Sequence, residues 1–110
     1  MTAAVQDVLD IVAEDWRPSR VASREAIRQA VLKTAAENGG LVHIASMRKH
    51  LPPWLAVEQT GAFMNRLVRR GYLVATGHYR PNGDEHSRNR SKPAAVRRLV
   101  KPIPPEEAAA

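Results

Sequence analysis

The chain has no cysteine among its 110 residues. Without thiols there is no disulfide framework, no thiolate nucleophile and no sulfur-ligated zinc, which fits a reducing compartment. Aromatic side chains are scarce, at one Phe, two Tyr and two Trp. That is too few to pack a core and also line a stacking platform for single-stranded bases. No apolar run approaches the roughly 20 residues of a membrane span. The N-terminus also lacks the basic start and apolar centre of a secretory signal. A soluble cytoplasmic protein is the expectation.

Catalytic and ligand-binding constellations are equally thin. His43, His50, His78 and His86 lack the close helical spacing of a metal pair. Asp84-Glu85-His86-Ser87 contains catalytic residue types, but a polar loop offers no rigid frame to hold them. No glycine-rich phosphate cradle follows a strand. No enzymatic activity, metal, cofactor or small-molecule ligand is expected.

What the chain does have is a polarised charge. The net charge is +6. Residues 1–22 carry Asp7, Asp10, Glu14 and Asp15 against two arginines, and residues 23–65 are nearly balanced. The run 66–101 holds ten lysines and arginines against Asp84 and Glu85. A basic surface of this kind attracts polyanions and speeds their encounter.

Hydrophobic spacing organises the rest. Val5, Val8, Leu9 and Val12 form the stripe of an amphipathic helix over about residues 3–15, with an acidic outer face unsuited to DNA. It packs on its own domain or on a second copy, which makes a homodimer through this helix an open option. After Arg17-Pro18-Ser19, Ser23 looks like the N-cap of a second helix with Glu25 in its first turn. Ile27, Ala30, Val31, Thr34 and Ala35 form its inner face, and Asn38-Gly39-Gly40 ends it. Leu41-Val42-His43 suggests a short strand. Ile44, Met47 and Leu51 give a two-turn helix, stopped by Pro52-Pro53, with Trp54 plugging the gap between helices. A further helix runs over about residues 56–70, with Val57, Thr60, Phe63, Met64, Leu67 and Val68 inward. Gly61 in its middle suggests a close backbone approach, since it costs about 1 kcal/mol relative to Ala. Residues 72–76 read as a strand and 94–101 as its return partner, with a long polar loop from 77 to 93 between them.

Taken together, Gly40-Leu41-Val42-His43-Ile44, the Met47/Leu51 pair, Met64-x-x-Leu67 and Gly71-Tyr72-Leu73 resemble the winged helix-turn-helix superfamily over residues 23–101. The chain departs from that pattern at the Pro52-Pro53-Trp54 turn, about two residues longer than common, and in having no Ser, Thr, Asp or Asn to cap the next helix. The resemblance implies a mainly α fold with a small β-hairpin (α+β). An extra N-terminal helix and linker (1–22) would precede the winged domain (23–101), and a flexible tail (102–110) would follow it.

In helix-turn-helix docking, the second helix presents its outer face to base edges in the major groove. At 100° per residue, Glu58, Ala62, Asn65 and Arg69 share that face, flanked by Gln59 and Arg66. Gln and Asn can pair with adenine and Arg with guanine, while Arg66, Arg69 and Arg70 can equally clamp phosphates. Arg80, Arg88, Arg90 and Lys92 lie in the wing, placed for the minor groove or the backbone. Of Arg97 and Arg98, at most one joins the basic patch, because adjacent strand residues face opposite sides. The candidate DNA-binding residues are therefore Gln59, Ala62, Asn65, Arg66, Arg69, Arg70, Arg80, Arg88, Arg90 and Lys92. The implied function is sequence-preferring binding of double-stranded DNA by a transcription regulator or a bacterial or phage accessory factor, nucleoid-associated when bound. The alternatives are a winged-helix module that binds protein in a larger assembly, or one that binds structured RNA.

Overall fold

The structure is a computed structural model, and it describes residues 19–83 and 92–109. The expected helix over residues 3–15, the loop acids and histidine at 84–86, and Arg88 and Arg90 lie outside the described residues.

Helix α1 (Arg20–Glu37) begins one turn earlier than the sequence suggests, because Ser19 caps it. Ser19 sits in extended backbone and its Oγ accepts from Ala22 N at 3.0 Å. Ser23 is therefore buried inside the helix, and Glu25 lies beyond its first turn. The linker expected to reach residue 22 ends at Ser19. The inner face is as expected: Ile27, Ala30, Val31, Thr34 and Ala35 are all buried. Asn38 closes the helix, with Nδ2 donating to Thr34 O at 2.8 Å. Gly39 and Gly40 then turn the chain at φ 62° and 93°, angles an L side chain would strain to reach.

Strand β1 (Leu41–Val42) leads into α2 (Ile44–Met47) and a 3₁₀ turn (Arg48–His50), so the expected two-turn helix tightens in its second half. His43 caps α2, its Nδ1 accepting from Ala45 N at 3.2 Å. Helix α3 (Val57–Arg69) starts at Ala56 with no side-chain cap. It ends where Gly71, at φ 80°, lets Tyr72 N reach back to Leu67 O at 2.9 Å.

Strands β2 (Leu73–Pro81) and β3 (Pro93–Leu99) complete an antiparallel sheet in the order β1-β3-β2. The hairpin is longer than its sequence suggests. β2 continues past Thr76 because two extra residues are absorbed between the Ala75↔Arg97 and Tyr79↔Ala95 pairs. Gly77, at φ 85°, makes that bulge possible. Thr76 Oγ1 bridges it, donating to Val96 O at 2.7 Å and accepting from His78 N at 3.2 Å. Arg80 thus lies on a strand, and Lys92 directly precedes one.

The core gathers Ile27, Ala30, Val31 and Ala35 from α1, Val42, Met47, Phe63, Leu67, Leu73, and Ile103. Ile103 corrects the expectation of a flexible tail. It is 2% exposed, and a one-turn helix α4 (Glu106–Ala109) follows it with Glu107 and Ala108 buried. Two other expected core residues face out. Trp54 is 48% exposed and Val57 80%, because among the described residues no element covers the start of α3 on that side. Gly61 is exposed too, and an added Cβ there would meet nothing within 4 Å, so no close backbone approach explains it. The described residues thus form an α+β fold of four α-helices and a three-stranded antiparallel sheet.

Candidate nucleic-acid interface

Periodicity turns one face of α3 to the core through Thr60, Phe63 and Leu67, and leaves the opposite face open. Glu58, Ala62, Asn65 and Arg69 are exposed there, while Gln59 is half-buried on its flank. The uncapped start leaves the first amide groups of α3 without a side-chain acceptor. Four of the six helix candidates therefore stand as the sequence placed them, and two do not.

Those two are Arg66 and Arg70, which turn toward the C-terminal segment. Arg66 Nη1 donates to Glu107 O at 3.0 Å, and its guanidinium lies 5.7 Å from the centre of the Phe63 ring. Arg70 Nη1 pairs with the Glu107 carboxylate. From α1, Arg24 Nε donates to Ala108 O and Arg28 Nε to Ile103 O, each at 2.7 Å. Four arginines thus hold one short segment, an arrangement the sequence reading missed. Its signal was present: Arg24/Arg28 and Arg66/Arg70 are both i, i+4 pairs of like charge. Such pairs disfavour an isolated helix unless an acceptor lies against them. Tyr72 belongs to the same cluster, its phenol pushed up by burial and then by its hydrogen bond to Glu107. Lys101 stacks over its ring at 4.7 Å.

The wing is positioned from α2. Arg48 donates to Asn82 O and to Asn82 Oδ1, tying the 3₁₀ turn to the base of the β2–β3 loop. His43 Nε2 meets Arg80 O at 3.2 Å while Nδ1 is already occupied by Ala45 N. With Nδ1 accepting, the neutral ring carries its proton on Nε2, which donates to Arg80 O. Burial pushes the His43 pKa below the usual imidazole range, only partly offset by that carbonyl. Asn82 N donates to Lys92 O at 2.8 Å and closes the strand pair. Arg80 and Lys92 are exposed on this anchored base.

Between α3 and β3 runs an open groove of about 590 Å³, lined by Val57, Met64 and Asn65 on one side and Ala94, Ala95 and Arg97 on the other. Arg98 lies on the other face of the sheet, where it reaches Gly39 O at 3.4 Å, so only Arg97 borders the groove. The arrangement offers amide and guanidinium donors on a helix, an anchored cationic hairpin beside it and, among the described residues, no acidic residue in the groove lining. Among the described residues no helix is long and apolar enough to cross a membrane. Comparison with protein-family models, characterised proteins and solved structures finds no match to this chain.

Proposed function

We propose that this chain is a winged helix-turn-helix protein that binds double-stranded DNA with sequence preference, as a transcription regulator or accessory factor of a bacterium or phage. In this reading α3 enters the major groove, and the β2–β3 wing lies along the backbone or minor groove. One observation carries it: the exposed Ala62/Asn65/Arg69 face of α3 stands beside a hairpin anchored at the Arg80 carbonyl by His43 and at Asn82, which bonds the Lys92 carbonyl, by Arg48. The β1-β3-β2 order and the helix sequence before it support the same assignment. A homodimer through residues 3–15 is part of the proposal.

The test is binding of random duplex DNA and of structured RNA across a salt series. Log affinity for the duplex falls linearly with log salt, at about 0.9 per phosphate neutralised. No duplex binding at low salt sinks the proposal, and tighter binding to RNA shifts it to the RNA alternative. A second reading has its own support. Exposed Trp54, and exposed Val57 in the groove lining, suit a winged-helix module that docks protein in a larger assembly.

A further inference from the structure

The C-terminal segment occupies a site made of arginines. Arg24 and Arg66 donate to the carbonyls of Ala108 and Glu107, and Arg70 pairs with the Glu107 carboxylate. The guanidinium of Arg24 is half-buried and crowded: desolvation, then Arg66, then Arg20, pushes its pKa down. Cations gathered this closely repel one another, and only an anion or an array of carbonyls lying against them relieves the strain. Here the chain supplies both, from a single turn of helix and one acidic side chain.

Apart from the arginines, what holds the turn is the burial of Ala108, 1% exposed, and the hydrogen bond between Tyr72 and Glu107. A single helical turn has no stability of its own. Its amide bonds, Glu107 N to Pro104 O and Ala108 N to Pro105 O, are each 3.0 Å turn contacts. Ile103 is anchored in the core, and Pro104-Pro105 separate that anchor from α4. Residues 106–109 can therefore leave while Ile103 stays. The Arg70 side chain is half exposed in its ion pair, so a denser anion from solvent can compete for it.

We infer that the turn at 106–109 is an internal competitor for duplex DNA phosphate, covering Arg24, Arg66 and Arg70 until a phosphodiester backbone displaces it. The inference rests on the DNA-binding reading. It adds to that reading a second set of phosphate contacts, at the C-terminal end of α3, which the free protein masks with Glu107.

The experiment compares the full chain with Glu107→Gln and Glu106→Gln in a salt-series titration of duplex DNA. Glu107→Gln removes the carboxylate that holds Arg70. It binds more tightly by up to about fivefold, the worth of a part-exposed ion pair, with the same log–log slope, because the displaced turn leaves the same phosphate contacts in both complexes. Glu106→Gln removes the same charge from an exposed neighbour that holds no arginine, and it gains less. Equal affinities for Glu107→Gln and Glu106→Gln overturn the inference alone, and absence of duplex binding by all three overturns the DNA-binding reading with it. A second measurement needs no variant. In the wild-type chain, saturating DNA abolishes hydrogen-exchange protection at the Glu107 and Ala108 amides, and full retention of that protection refutes displacement.

Discussion

Replacing Ile103 with Ala separates a packed C-terminal segment from a free one. Composition alone makes residues 102–110 a tail, and a tail residue contributes nothing to stability. In the structure Ile103 is 2% exposed and belongs to the same apolar cluster as Ile27, Val31, Phe63 and Leu67. Truncation there removes three buried carbons and leaves a cavity among rigid neighbours. Buried Ile→Ala changes of this kind cost about 2–5 kcal/mol. Loss of the side chain also loosens the carbonyl that Arg28 holds at 2.7 Å, so a value of about 3 kcal/mol is the expectation. For a domain of this size that is a large part of a total stability of about 5–15 kcal/mol. The assay is urea unfolding followed by far-ultraviolet circular dichroism, with Val57→Ala as control. Val57 is 80% exposed, and its truncation leaves stability within about 0.5 kcal/mol. A loss below about 0.5 kcal/mol for Ile103→Ala as well refutes the packing of this segment.

Three further substitutions follow from the same physical accounting. Gly61→Ala stabilises the chain by up to about 1 kcal/mol, because the new methyl meets nothing within 4 Å; a destabilised variant in thermal unfolding contradicts that. Thr34→Val removes a buried hydroxyl that has no hydrogen-bond partner, and the midpoint in urea rises by the equivalent of about 1 kcal/mol; a fall implies a partner for that oxygen. His43 makes stability fall with acid. Its folded pKa lies below the ordinary imidazole value, so the unfolded chain binds the proton first. Its contribution is complete above about pH 6.5 and declines below that, by at most about 1.4 kcal/mol per pH unit for one proton. His43→Asn, which can still cap α2, flattens the profile between about pH 7 and 5; parallel profiles for wild type and variant exclude His43 as the source.

Much of the fold is legible from spacing. The inner face of α1, the Asn38-Gly39-Gly40 stop and the Gly71 turn all follow from periodicity and from the conformational reach of glycine. The failures share a cause, which is that local patterns do not say what lies opposite. Ser23 reads as a cap from its local sequence, but it packs against the core and Ser19 caps the helix one turn earlier. Val57 sits seven residues before Met64 and has its period, but that side of α3 borders an open groove rather than the core. Gly77 reads as a strand end, whereas its positive φ builds a bulge that lengthens the wing. The site was legible in the same uneven way. Asn65, Arg69 and Ala62 face out as helix geometry requires. Arg66 and Arg70 were displaced from the candidate face by Glu107, a residue 41 and 37 positions further along the chain. Arg48, which anchors the wing, carries no sequence signal beyond its charge.

The central claim is that the exposed face of α3 and the anchored wing together bind duplex DNA, and combined neutralisation of that surface tests it most directly. Arg69→Gln, Arg80→Gln and Lys92→Gln in one chain remove three exposed cations, none of them in the core. Fluorescence anisotropy of a labelled duplex over about 50–200 mM salt gives the slope for each protein, and each lost phosphate contact lowers it by about 1. The account predicts a slope shallower by about 2–3 with the fold intact by circular dichroism. A variant that binds duplex DNA with the wild-type slope, or a wild-type chain that does not bind it at the lowest salt, contradicts it.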